Sequence, residues 1–226
     1  MASVFADLSD LKEKARFHKA CLVSFSTGKD SLAVMDLCTR AFDRVIPFFM
    51  YLVPGLSFIE ERLADAHKRW GTPVLQFPHW VLFKCLRNGI YCPNHHSFDD
   101  LPNFKLFDIY EMVVEETGIP IIAHGGKTAD GLWRRRMMSA TGASKKCSHI
   151  FYPIRSWSKY DVMAYLDSRK IPIPQESKDR RAAGVDLGTS SLLWMHDNHP
   201  EDFKKLCETF QYADSVVARR TFYNVT

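Results

Sequence analysis

The stretch ACLVSFSTGKDSLAVMDLCTRAF, residues 20–42, decides the fold. Residues 20–25 are an apolar run that stops at the polar turn Ser26-Thr27-Gly28-Lys29-Asp30-Ser31. Apolar residues then return at helical spacing, at Leu32, Met35, Cys38 and Phe42, with Ala33, Leu37 and Ala41 widening the face. The pattern predicts a buried strand, a tight turn and the start of a helix. Gly28 is expected to take backbone angles closed to other residues, and Asp30 or Ser31 to cap the first helical turn.

Such a turn aims several backbone N–H groups, the positive end of a helix dipole and the Lys29 ammonium at one spot beyond the strand's carboxyl end. A phosphate or pyrophosphate suits that spot. An ordinary strand-to-helix turn with a solvated lysine is the other reading of the same six residues. Spacing excludes two phosphate loops, since neither G-x-x-x-x-G-K-S/T nor G-x-G-x-x-G follows the strand.

Bulk properties bound the rest. With 226 residues, 46% apolar and 13% aromatic, the chain suits a single α/β domain over 1–226 with a sizeable core. A net charge of +4 fits anionic small molecules, and it permits nucleic acid without indicating it. The opening MASVFADLSDLKEKARF interleaves charges with apolar residues and does not read as a signal peptide. No apolar run approaches the ~20 residues of a membrane span, so no membrane contact is expected. The cysteines at 21, 38, 85, 92, 147 and 207 are scattered, which points to reduced thiols in a cytoplasm.

Taken in order, residues 7–19 read as an amphipathic helix and 44–53 as a second strand broken by Pro54-Gly55. Ser57 and Glu60 have capping-box spacing and open a helix that ends at Gly71. Residues 72–77 are a third strand, and 78–104, rich in aromatics, His, Asn and Pro, a long loop or insertion. A helix over 105–118 closes at Gly118, and 119–124 form a fourth strand. A helix through Met138, a fifth strand at 149–154 and a helix started by Ser158 and Asp161 follow. Residues 171–226 read as loop plus one helix near 200–212. The expected fold is an open, mainly parallel five-stranded α/β sheet with helices on both faces and a loop-rich C-terminal third.

Ligands in such sheets bind beyond the carboxyl ends of the strands. Polar junctions fall there at 26–31, at Pro54-Gly55 and at 124–127, where Gly125, Gly126 and Lys127 bring backbone and a second cation close. Arg134, Arg135 and Arg136 follow; neighbours on a helix lie ~100° apart, so one or two of them can grip a phosphate or sulfate. Asp130, one turn before Arg134, can orient it or join Asp30 in holding Mg²⁺. Cys85, Cys92, His95, His96, Cys147 and His149 are the residues that a metal site would need to gather, but only Cys92 and His95 have ligand-like spacing.

SFSTGKDS resembles the pyrophosphate loop of the adenine nucleotide alpha-hydrolase (PP-loop) superfamily, usually S-G-G-x-D-S. Thr27 stands where that loop most often has glycine. YLVPGLSFIEERL at 51–63, AHGGKTADGLWRRRM at 123–137 and FYPIRSWSKYDVMAYLDSRKIPIP at 151–174 are similar to segments of its PAPS reductase branch. The likeness implies an enzyme that binds ATP or a sulfonucleotide (APS or PAPS) for adenylylation or sulfur transfer, with Mg²⁺ assisting if ATP is used. It implies that Ser24, Ser26, Thr27, Gly28, Lys29, Asp30 and Ser31 hold the phosphates, with Gly55 near ribose or adenine. Gly125, Gly126, Lys127, Arg134 and Arg135 then stand near the phosphate or sulfate end, and Lys29, Asp30 and Arg135 serve catalysis.

Two departures qualify the likeness. Thioredoxin-coupled reductases carry a Glu-Cys-Gly-x-His motif, whereas no Cys follows Cys207 here. The paired cysteines that hold an iron–sulfur cluster in bacterial APS reductases are also missing, so no cluster is expected. Sulfonucleotide reduction needs an attacking thiolate, and Cys147, beside Lys145 and Lys146, is the candidate for a relocated one. A nucleotide-sensing module without chemistry is a further alternative. The composition is compatible with a protein partner or a homo-oligomer.

Overall fold

The computed structural model describes residues 2–93, 100–141, 149–174 and 186–223. Strands β1 (Ala20–Ser24), β2 (Arg44–Tyr51), β3 (Leu75–Pro78), β4 (Ile122–His124) and β5 (Ile150–Phe151) form one all-parallel sheet in the order β3-β2-β1-β4-β5. The helices are α1 (Ala2–Phe17), α2 (Lys29–Ala41), α3 (Ser57–Trp70), α4 (Trp80–Arg87) and α5 (Leu106–Thr117). They continue with α6 (Leu132–Thr141), α7 (Lys159–Ser168), α8 (Thr189–Asn198), α9 (Pro200–Thr209) and α10 (Ser215–Tyr223).

Successive strand residues point to opposite faces, and both faces are apolar here. Cys21 and Val23, Val45 and Phe49, Ile121 and Ala123, and Phe151 join a core with α2, α3 and α7. The residues between them, Leu22, Phe48 and Ile122, join a second core with Ile109, Tyr110 and Val113 of α5. This two-sided burial is why the strands read as continuous apolar runs. Right-handed crossovers account for the partition, since β1 to β3 step across the sheet one way and β4 and β5 the other.

Remote carboxylates join elements that the sequence does not visibly connect. Buried Asp36 of α2 accepts from the Tyr165 hydroxyl at 2.7 Å and from Arg169 Nε at 3.0 Å, which docks α7 on α2. Asp202 of α9 accepts from the Ser57 backbone N–H and hydroxyl, each at 2.7 Å, and from the Phe58 N–H at 3.2 Å.

Several local expectations are corrected. The Ser57/Glu60 capping box does not form: Leu56 is the N-cap, and Glu60 accepts from Gln76 Nε2. Asp202 supplies the cap from 145 residues away. The 78–104 stretch contains α4, whose start is capped by His79 Nδ1 accepting from Val81 N. Residues 171–226 hold α8 and α10 besides the expected helix. The expected stops at Gly71 and Gly118 are present with φ of 70° and 69°, and Ser158 and Asp161 form their capping box. No helix among the described residues is long and apolar enough to cross a membrane.

Candidate functional site

The sheet changes direction between β1 and β4, which are hydrogen-bonded neighbours. The chain leaves β1 toward β2 on one side and leaves β4 toward β5 on the other, so a crevice opens between the two exits. The loops that border it are 25–28 and 125–131.

The first loop is tighter than its sequence suggests. Thr27, not Gly28, takes the left-handed conformation, with φ 60°. A β-branched residue there is strained, so the glycine of the resembled motif has a steric reason. Gly28 is extended (φ −79°, ψ 164°) and is the N-cap of α2, and it offers no side chain to the first turn. Neither Asp30 nor Ser31 caps that turn as expected. Ser31 Oγ instead donates to the Gly28 carbonyl at 2.9 Å, and Ser26 Oγ donates to Ser31 Oγ at 3.3 Å. The start of α2 therefore presents its N–H groups and dipole without a side-chain cap.

Asp30 is turned toward two ammonium groups. Lys29 Nζ lies 2.7 Å from Asp30 Oδ2, and Lys127 Nζ lies 2.7 Å from Oδ1. Lys127 also reaches Asp130 Oδ1 at 3.2 Å, while its backbone N–H donates to Asp130 Oδ2 at 3.0 Å. The Lys127 side chain is only 3% exposed. A buried lysine needs such partners, because taking an ammonium out of water is costly. Gly125 makes the approach possible: a Cβ there would sit 3.3 Å from the Asp30 carbonyl carbon and 3.4 Å from the Ser31 nitrogen.

Gly126 is hemmed in as closely, since a Cβ would meet Met138 Cε at 2.9 Å. Its N–H donates to His124 Nδ1 at 2.9 Å, so His124 accepts there. Burial, with the nearby Arg134 guanidinium, pulls the His124 pKa down to about 4, against a smaller opposing effect of Asp130. His124 is therefore neutral near pH 7. Of the three arginines, Arg135 donates from Nε to the Thr128 carbonyl at 3.0 Å, which fixes its stem beside the crevice. Asp130 pairs with Lys127, and among the described residues no ion pair joins it to Arg134.

The other candidates fall elsewhere. Ser24 faces Tyr110, whose phenol is pushed up to about 12 by burial, with Ser24 acting in the opposite sense. Gly55, at φ 67°, lies at the exit of β2, where Lys205 Nζ donates to its carbonyl at 2.8 Å. Cys85 and Cys92 are buried neighbours, with Cys92 Sγ 3.7 Å from the Cys85 carbonyl oxygen. His149 precedes β5 at the opposite edge of the sheet order from α4. His95, His96 and Cys147 lie outside the described residues. Among the described residues no group of three or more His, Cys, Asp or Glu is arranged to hold a metal.

Asp30 and Asp130 do converge, but on the Lys127 ammonium. That cation neutralises the point where Mg²⁺ would sit, and the remaining oxygens are taken by Lys29 and the Lys127 N–H. The pair as arranged does not fit a divalent cation, and no step is assigned to one. Nor are the thiols of Cys38, Cys85, Cys92 and Cys207 activated. Burial raises the pKa of Cys38, Cys85, Cys92 and Cys207 above the ordinary thiol value.

No family model and no curated protein sequence matches the chain. Solved structures do. The NH3-dependent NAD synthetase from Campylobacter jejuni is 12% identical, with 99% of this chain and 95% of that one covered at a TM-score of 0.51. The U34-tRNA thiolase NcsA from Methanococcus maripaludis, solved with its 4Fe-4S cluster, is 12% identical over 92% of this chain and 78% of that one, with a TM-score of 0.47. At this identity the likeness is one of architecture: the chain has the adenine nucleotide alpha-hydrolase fold.

Proposed function

We propose that the chain is an enzyme that binds an adenine nucleotide in the β1–β4 crevice and acts at its α-phosphorus. The observation that carries this is the convergence of Lys29 and Lys127 at the uncapped start of α2, beside the sheet's switch point. Asp30 is the anion those amines hold in the structure, and phosphate oxygens would take over the same contacts. The N–H groups of 28–31 and the two ammonium groups would stabilise charge developing on a departing pyrophosphate, with Arg135 at the rim. Asp130, which holds both the Lys127 ammonium and its backbone N–H, would act as a positioning residue that keeps Lys127 in place once phosphate displaces Asp30.

ATP is the nucleotide this reading favours, used to adenylylate an acceptor in the cytoplasm. APS and PAPS remain within the resemblance to the PAPS reductase branch, but reduction of either needs a thiolate. Burial holds the thiols of Cys38, Cys85, Cys92 and Cys207 above the ordinary value, which disfavours their thiolates. The test follows pyrophosphate release from ATP with candidate acceptors, and sulfite release from PAPS with reduced thioredoxin. Pyrophosphate release that disappears in Lys29→Ala supports adenylylation. Sulfite release abolished by Cys147→Ser would replace it with a reductase.

A further inference from the structure

β1 and β4 end side by side, with Ser24 and His124 opposite each other in register. Side chains alternate along a strand, so both residues share the face of Leu22 and Ile122, which is the face that α5 covers. Lys29 and Lys127 meet Asp30 at the start of α2, on the opposite face. The crevice therefore has two walls. Ammonium groups stand on the α2 side, and a hydroxyl and an imidazole on the α5 side.

The imidazole is held in one orientation and one tautomer. Nδ1 of His124 accepts from the Gly126 N–H at 2.9 Å, so it carries no proton, and the neutral ring keeps its proton on Nε2. The Tyr152 ring packs edge-on against it, with centroids 5.6 Å apart. Gly126 leaves the space for this, because a Cβ there would sit 3.2 Å from Nδ1 and 3.3 Å from Tyr152 Cε1. Among the described residues nothing accepts a hydrogen bond from Nε2, and the residue is half-buried. The charged groups that act on the ring are the Arg134 guanidinium and, in the opposite sense, Asp130.

We propose that the Nε2–H of His124 donates to an oxygen of the bound nucleotide's α-phosphate, with the Ser24 hydroxyl as a second donor on the same wall. The proposal rests on the nucleotide reading above. Charge supplies the first argument. Lys29, Lys127 and the start of α2 would take the pyrophosphate, which carries most of the negative charge of ATP. The α-phosphate next to it carries a single charge, which suits neutral donors and one nearby guanidinium. A protonated imidazole would be repelled by Arg134, whereas a neutral one donates without that cost. Preorganisation supplies the second, since a ring already held by the Gly126 N–H needs no rearrangement when the ligand arrives. Position supplies the third. The ring bonds the residue that precedes Lys127, and Ser24 is the last strand residue before the phosphate turn.

Calorimetric titration of the full chain with AMP, ATP and inorganic pyrophosphate tests this. His124→Asn keeps an acceptor for the Gly126 N–H but has no donor at the Nε2 position. It is expected to weaken AMP and ATP by about tenfold, the scale of one hydrogen bond to a charged group, and to leave pyrophosphate unchanged. His124→Gln, whose longer side chain returns an amide N–H toward that position, is expected to recover most of the AMP affinity. Equal weakening of pyrophosphate would overturn the proposal, because it would give His124 a structural role in the loop. Nitrogen NMR spectra of the wild-type imidazoles keep the test decisive if His124→Asn does not fold, with the His124 signal identified by its absence from His124→Gln. The expected result is a proton on Nε2 and a shift of that signal when AMP is added; a proton on Nδ1, or an unmoved signal, overturns the proposal. AMP binding that His124→Asn leaves unchanged sinks the donor role alone. If the wild type binds neither AMP, ATP nor pyrophosphate, the nucleotide reading falls and takes the donor role with it.

Discussion

Lys127 and Asp30 meet across the crevice, Nζ 2.7 Å from Oδ1, although one follows β4 and the other opens α2. The pair ties the two loops of the switch point together. It also stores a cation where water barely reaches, because the Lys127 side chain is 3% exposed against 26% for Asp30. Replacing Lys127 with Met strands two carboxylates. Urea unfolding should show a loss of about 3 kcal/mol, the low end for breaking a buried pair since Asp30 is partly solvated. Asp30→Asn in the same background should recover part of it. A loss under ~1 kcal/mol, the scale of an exposed pair, would mean the pair does not hold the loops together.

Thr27 gives a cleaner test of backbone strain. Its φ of 60° suits glycine, so Thr27→Gly and Thr27→Ala should separate. Left-handed backbone costs an L-residue about 1–2 kcal/mol and glycine almost nothing, while glycine's extra unfolded-state freedom returns some of the gain. Chemical denaturation should therefore find Thr27→Gly about 1 kcal/mol more stable than Thr27→Ala. The opposite order would place the strain elsewhere.

His124 predicts a slope in stability with pH. Its folded pKa, about 4, lies below the ordinary imidazole value, with burial the largest cause and Arg134 next. The unfolded chain therefore binds more protons between roughly pH 6.5 and 4, and stability should fall as pH drops through that window. The loss should reach roughly 2–3 kcal/mol, since each pKa unit is worth 1.36 kcal/mol and His124 is half-buried. His124→Asn, which keeps an acceptor near the Gly126 N–H, should flatten this part of the profile. An unchanged profile would assign the slope to other groups.

Asp202 predicts the acid limb below it. Burial pushes its carboxyl up, but hydrogen bonds from Ser57 and Phe58 outweigh that and hold it below the usual range. Its contribution is thus fully present above the unfolded carboxylate value near 4 and is lost as pH falls through the lowered folded value. Asp202→Ala should cost about 1–2 kcal/mol at neutral pH, the scale of losing a helix cap, and much less at pH 2. A cost independent of pH would mean the cap acts through packing alone.

Hydrophobic runs made the five strands legible, because burial on both faces leaves no polar alternation to confuse them. The turn at 26–31 and Gly125-Gly126-Lys127 were legible as neighbours of the strand ends. What periodicity cannot carry is pairing at a distance. Nothing local says that Asp202 caps α3, so the Ser57/Glu60 pattern misled. Nothing local says that Asp30 and Asp130 share Lys127, so the two acids read as a Mg²⁺ pair. The short helix α4 was hidden because its start is capped by a histidine rather than by Ser, Thr, Asp or Asn. Thr27 did leave a signal, a bulky residue where the resembled loop has glycine. Its steric meaning emerged only from the backbone.

The most direct test of the central claim is a thermal-shift series with ATP–Mg²⁺, AMP, APS, PAPS and PAP on the wild type and on Lys29→Ala. A nucleotide at ~100 times its dissociation constant stabilises the folded state by about 2.7 kcal/mol, a readily measured rise in Tm. The predicted result is a shift with ATP–Mg²⁺ that Lys29→Ala loses. No shift with any of the five ligands would contradict nucleotide binding at the β1–α2 turn.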